Sequence, residues 1–293
     1  MPDHSLHQLT AHTWWLNPLS DTDRPTLGVV VGARGTLVID VGNSPAHAHA
    51  LRAALHRHHL PAPRFAAFTH WHWDHVFGAA TLDVPTCAST ETQRVMRVMA
   101  ALDWGDDALA ARVAAGSEIA FCRAMIMREI PDRAALVIRP PEIAFATELT
   151  LDLIDVTCRL IHVGGDHSPD AIVVVVPQER VVFIGDALYD DLYHGPRRLT
   201  TGQLFPLPDR LLALDADFYI AGHDLEPIGR QQFVADAVVL RTIGHTTARM
   251  GNDRDALLAT LPAALGTPLS EDHIAIADAF LAGLRLPAVA SPL

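Results

Sequence analysis

RFAAFTHWHWDHVFG, residues 64–78, begins as a short apolar strand and ends in a knot of histidines. The apolar spacing of residues 64–69 predicts a strand that stops at His70. His70, His72, Asp74 and His75 therefore fall in a loop at a strand's C-terminal end, where rigid neighbours hold side chains still. Histidine is the commonest metal ligand, and His-x-His sets two imidazoles on one side of the backbone. Asp74 and His75 follow at once, a second pair too close in sequence to the first to serve its ion comfortably. The spacing makes sense for two cations sharing the loop, His70 and His72 for one, Asp74 and His75 for the other. The plainer alternative is a set of buried, hydrogen-bonded core histidines.

Two ions need more ligands, and three later apolar runs each end in one beside glycine. VGGDHSPD (163–170) supplies His167, VVFIGDA (181–187) supplies Asp186, and YIAGHD (219–224) supplies His223. The chain has 17 histidines, and His47, His49, His56, His58 and His59, on one alanine-rich helix, read as surface residues.

Around this centre the pattern is mixed α/β. TLGVVVGARGTLVIDVG reads as two strands about the turn Gly32-Ala33-Arg34-Gly35. Residues 44–60 follow as a helix, with Ser44 as cap and Pro45 at the first helical position. Residues 149–163 read as one long strand, 171–187 as a hairpin about residues 177–180, and 217–223 as a further strand. Residues 89–135 are helical in period and rich in methionine, an expected insertion or lid. There Met96, Met99, Met125 and Met127 are candidates for an adaptable apolar pocket or for ordinary core. Residues 230–293 read as a C-terminal helical extension, and the whole of 1–293 as a single domain of two helix-covered sheets.

Composition narrows the function. The net charge of −12 argues against nucleic acid. All 22 basic residues are arginine, which removes lysine Schiff-base and P-loop chemistry. Three scattered cysteines, Cys87, Cys122 and Cys158, give neither a disulfide frame nor a Cys-x-x-Cys zinc site. The N-terminus lacks the pattern of a signal peptide and no apolar run has the length of a membrane span. The expectation is a cytoplasmic protein acting on a small molecule, with no nucleic-acid or membrane partner and a homodimer left open.

THWHWDH (69–75) resembles the His-x-His-x-Asp-His signature of the metallo-β-lactamase superfamily, and GGDHSPD, FIGDA and AGH resemble that family's later motifs, in its order. LVIDVG (37–42) resembles its Asp-x-Gly element. The resemblance covers about residues 10–225 and implies a four-layer αββα sandwich. It further implies that His70, His72 and His167 hold one metal, that Asp74, His75 and His223 hold the other, that Asp186 bridges them, and that Asp40 orients a ligand from behind. Two divalent ions are implied, zinc first, with iron or manganese as alternatives. The chain departs from the family at Phe77, where a glycine is usual, and in carrying aspartate at 186, where antibiotic-destroying zinc enzymes commonly carry cysteine.

Paired cations lower the pKa of shared water to about 7, so a bridging hydroxide at neutral pH is the expected nucleophile and hydrolysis the expected reaction. Asp74 is the natural proton shuttle. Tyr189, three residues after Asp186, resembles in spacing a tyrosine of the family's acyl-homoserine lactonases that supports the substrate carbonyl. Tyr193, His194, Arg197 and Arg198 are further candidates, against the alternative of an exposed polar loop. The expected activity is hydrolysis of a small ester or lactone. Thioester or β-lactam hydrolysis, a mononuclear iron dioxygenase acting on sulfur compounds, and a non-catalytic binding module stand as alternatives.

Overall fold

The computed structural model describes residues 4–285, so residues 1–3 and the end of the expected C-terminal extension, 286–293, lie outside the described residues. The first sheet runs in chain order: β1 (Leu6–Gln8), β2 (Thr13–Leu16), β3 (Leu27–Gly32), β4 (Gly35–Ile39), β5 (Pro63–Ala67), β6 (Thr86–Ser89) and β7 (Ile143–Phe145). Its first four strands are antiparallel and its last four parallel. Parallel neighbours need a crossover, and α1 (Pro45–Arg57) provides it between β4 and β5. Ser44 caps that helix by accepting the His47 N–H at 2.9 Å, with Pro45 at its first position.

The second sheet has the order β13-β12-β11-β10-β9-β8, made of β8 (Glu148–Asp152), β9 (Thr157–His162), β10 (Ile172–Val176), β11 (Val181–Gly185), β12 (Phe218–Ala221) and β13 (Ile228–Gly229). Here β11 and β12 are parallel and the other pairs antiparallel. The expected single strand over 149–163 is a hairpin, β8 with β9. Asp152 turns the chain by accepting the Ile154 N–H at 2.8 Å, and Ile154 adopts φ 85°. Leu153 and Ile154 at the turn keep the stretch apolar, which conceals the break in the sequence.

Alternation along each strand divides the core into layers. Ile172, Val174 and Val176 of β10 meet Val30, Leu37 and Ile39 between the sheets. Val173 and Val175 face the other way, towards Leu211 and Phe233. Those two come from α8 (Pro206–Leu212), which follows α7 (Thr201–Leu204), and from α9 (Arg230–Met250). On the outer face of the first sheet, Val29, Val38 and Phe68 pack against Leu51 and Leu55 of α1 and against the segments that follow. The order is helix, sheet, sheet, helix. Strands buried on both faces need continuous apolar sequence, which explains the valine runs.

Between β5 and β6 lie two short turns of helix, α2 (Trp73–Val76) and α3 (Ala79–Leu82). Residues 90–129 carry α4 (Thr90–Met99), α5 (Asp106–Ala115) and α6 (Ala120–Glu129). Met96 and Met99 are buried in the outer core with Met125 and Met127 packed against it, so these methionines are core. After α9, α10 (Arg254–Leu265) and α11 (Glu271–Arg285) close a separate apolar cluster about Ile243, Leu261 and Phe280. No helix of the described residues is long and apolar enough to cross a membrane.

Candidate metal centre

Parallel pairing brings the C-terminal ends of β4 and β5 to one edge, and those of β11 and β12 to one edge of the other sheet. The two edges are joined there by backbone bonds. Ile172 N–H donates to the Thr69 carbonyl at 2.8 Å, and Thr26 N–H to the Gly222 carbonyl at 2.6 Å. Every side chain expected to bind metal issues from these strand ends or from the loops beside them.

The ligand atoms form two groups, His70 with His72 and His167, and Asp74 with His75, Asp186 and His223. Within each group the atoms lie within 4.8 Å of one another. Asp186 Oδ2 is central, 3.3 Å from His167 Nε2, 3.4 Å from both His75 Nε2 and His223 Nε2, and 4.0 Å from His70 Nε2. One carboxylate oxygen thus faces imidazoles of both groups. Asp74 Oδ2 lies 3.1 Å from His75 Nε2 and 3.2 Å from His223 Nε2.

Glycine permits this approach. A Cβ at Gly222 would fall on the Asp186 carboxylate. Gly185 has φ +50°, and a side chain there would also collide with Thr69.

The rings are aimed from behind. Asp40, at φ 59°, accepts the Thr69 N–H on Oδ1 at 2.7 Å, and on Oδ2 the Thr69 hydroxyl and His75 Nδ1–H, each at 2.8 Å. Since the Thr69 proton goes to Asp40, its oxygen is left to accept from His70 Nδ1–H at 3.0 Å. His167 Nδ1–H donates to the Asp190 carbonyl at 2.9 Å. Each bond engages Nδ1 and leaves Nε2 as the nitrogen turned to the centre.

Electrostatics favour a cation here. Burial, then the neighbouring imidazoles His75 and His70 respectively, hold His70 and His72 well below the ordinary histidine pKa, so both rings are neutral, as a metal would require. Burial opposes charge on His75 and His223 too. It is outweighed by Asp74, Asp186 and Asp40 around the first and by Asp186 and Asp74 around the second, which raise both rings. Burial would likewise protonate Asp186, but His75 and His223 keep it ionised, well below its usual value. Two buried carboxylates, Asp74 and Asp186, meet at the centre with a third, Asp40, behind them, a concentration of negative charge that cations would balance. His70 Nε2, His75 Nε2, His167 Nε2 and Asp186 Oδ1 are buried and have no hydrogen-bond partner among the described residues. Orphaned lone pairs facing one point are what a pair of divalent cations would satisfy, so the residues fit the implied metals.

The centre opens into a cavity of about 530 Å³, walled by Ile119, Phe121 and Cys122 of the α6 region and by Leu192 and Tyr193 of the loop after β11. Tyr189 lines it too; its hydroxyl donates to Asp224 Oδ1 and accepts the His223 N–H, both at 3.3 Å. Burial, Asp186 and Asp224 raise its pKa, so it is a phenol donor at neutral pH. Tyr193 packs its ring 5.0 Å from that of His72. Arg198 is buried against Asp191, whereas Arg197 is exposed and pairs with Asp190 at 2.7 Å. His194 Nδ1 donates to Asp191 at 2.8 Å and lies in a neighbouring polar pocket.

Sequence reading passes over Asp23. Its carboxylate lines the cavity 3.8 Å from His223 Nδ1, and burial and Asp74 push its pKa up to about 7. SDTD looks like an ordinary turn, and nothing local marks its last residue as special. His47, expected at the surface, is fully buried beside His4, at a ring separation of 5.0 Å. It shares the inward face of α1 with Leu51 and Leu55, a spacing of four that could have identified it. His49, His56, His58 and His59 are exposed.

Fold and site together describe a two-sheet protein with a histidine–aspartate centre suited to two cations. A sequence model of the Metallo-beta-lactamase superfamily matches residues 22–223, and the chain belongs to that superfamily. Many solved structures share the fold, three of which illustrate it. A metallo-beta-lactamase from Pontibacter korlensis is 18% identical, with 78% of this chain and 95% of that one covered and a TM-score of 0.53. A metallo-beta-lactamase family protein from Thermus thermophilus is 19% identical over 95% of this chain and 94% of that one, at 0.60. The inverting sec-alkylsulfatase Pisa1 from Pseudomonas sp. is 14% identical over 94% of this chain but only 50% of its own, at 0.65. No curated protein sequence matches the chain.

Proposed function

We propose that the protein is a metal-dependent hydrolase of a small carboxylic ester or lactone bearing an apolar acyl portion. The observation that carries this reading is the convergence of five imidazoles and two carboxylates, of which His72, His167, His223, Asp74 and Asp186 line a cavity shared with the apolar Ile119, Phe121 and Leu192. When bound, two divalent cations supply a nucleophilic water at neutral pH and polarise the substrate oxygen. The chain's own residues do the rest. Asp74, held ionised by His75 and His223 despite its burial, accepts and returns a proton at Oδ2. Tyr189 turns its O–H from Asp224 towards a carbonyl oxygen entering the cavity. The apolar wall seats the acyl portion and excludes water from it.

A protein nucleophile is a poor rival. Cys122, the cysteine in the cavity wall, is held as the neutral thiol by burial and by Glu118. Zinc, with iron and manganese as alternatives, suits the imidazole–carboxylate donor set.

The test is elemental analysis of the purified protein, then turnover of the loaded form on lactones, aryl esters, thioesters, β-lactams and secondary alkyl sulfates. The expected result is about two ions per chain, with lactone or ester as the best substrate. His72→Ala should lose an ion and at least about a hundredfold in rate, together. A single iron with oxygen uptake would refute hydrolysis, and preferred thioester or sulfate turnover would refute the acyl-ester assignment.

A further inference from the structure

His75, His70 and His167 each pass their Nδ1–H to a fixed acceptor, at 2.8 Å, 3.0 Å and 2.9 Å respectively. His223 is the ring of the second group without such a bond. What its Nδ1 faces is the Asp23 carboxylate, at 3.8 Å, one small side-chain rotation from a hydrogen bond. We infer that Asp23 is the positioning residue for His223, orienting its ring and thereby setting how tightly the second metal position is held.

The backbone around Asp23 is built to deliver that carboxylate. Asp23 closes a 3-10 turn (Ser20–Thr22) in the left-handed conformation, φ 58° and ψ 42°, uncommon for a residue with a side chain. Leu19 and Arg24 flank it and exchange both backbone hydrogen bonds at 2.9 Å. The Thr22 carbonyl is held by Asn43 Nδ2 at 2.8 Å. Arg24 pairs with the buried Glu129 carboxylate at 2.7 Å, and Ser44 Oγ donates to the same oxygen at 2.6 Å. Two residues on, Thr26 bonds to Gly222, beside His223 itself. The turn is clamped on both sides and tied to the strand end that carries the ring it faces.

A carboxylate placed deliberately beside Asp74 and Asp186 would be a liability without a cation to share. With His223 bound through Nε2, its Nδ1–H becomes a stronger donor and Asp23 its charged acceptor, a pairing that fixes the ring and raises its basicity.

This inference rests on the metal-centre reading, and the experiment separates the two. Metal-free wild type, Asp23→Asn and Asp23→Gly are titrated with zinc against a competing chelator. Asparagine and glycine both tolerate the left-handed backbone, so neither variant strains the turn. The expected result is two zinc ions in the wild type, the tighter site unchanged in both variants, and the weaker site loosened about 10- to 100-fold. Equal affinity at both sites in wild type and variants would overturn the inference, even if KM rose, because Asp23 would then be a substrate contact only. Equal loss at both sites would overturn it as well, by making the effect a general disturbance. A wild type that takes up no second zinc ion overturns the metal-centre reading and this inference together.

Discussion

At the scale of single residues the centre depends on hydrogen-bond direction as much as on ligand identity. Thr69 has one hydroxyl proton, and giving it to Asp40 is what allows the same oxygen to receive from His70. Tyr189 is poised in a similar way, donating to Asp224 from the cavity wall. Tyr189→Phe keeps the ring and removes the donor, so metal content should stay constant while kcat falls by about tenfold or more. An unchanged kcat would take the phenol out of the reaction. The residues that meet at the centre were legible in the sequence because a His-x-His-x-Asp-His run at one strand end, with Asp186 and His223 each beside glycine at two others, is an uncommon conjunction. Asp23 was not, because its meaning lies in what the fold sets opposite it.

At the scale of elements, α6 supplies part of the cavity wall and is anchored at its C-terminal end. Glu129 at its C-terminal end joins Arg24 and Ser44, while Glu118, just before its start, is buried and accepts the Ile119 N–H at 2.9 Å. Burial outweighs that bond and raises the Glu118 pKa above its ordinary 4.5. Ionising it therefore costs more in the folded chain than in the unfolded one, and the folded state binds more protons between the two values. Stability falls as pH rises through that window. Glu118→Gln should stabilise the fold at about pH 8 by on the order of 1 kcal/mol, seen as a higher unfolding temperature, and the advantage should shrink as pH drops towards 4.5. Thermal melts of both proteins across pH check it. Helix existence was readable from period and, at α1, from the Ser44 cap; the cap at Ser89 was seen only in the structure. The short strands β6 and β7 were not, since three or four residues carry too little pattern, and their pairing is fixed by neighbours remote in sequence.

At the scale of the whole molecule, the layers could be inferred from doubly buried valine runs, but the position of the C-terminal helices could not, because their apolar faces match one another as well as the sheet. The cations would bind the folded chain and not the unfolded one. Removing them with a chelator should lower the unfolding temperature by several degrees, and restoring zinc should recover it. Melting curves that ignore chelator and zinc alike would contradict the two-ion centre.

The backbone bonds that sew the sheets together, Thr69 to Ile172 and Thr26 to Gly222, lie at the same edge as the ligands, which are split between the two halves of the chain. During synthesis the histidine-rich loop leaves the ribosome long before residue 223. Each group draws on residues from both halves, so neither complete donor set exists until the second sheet has docked.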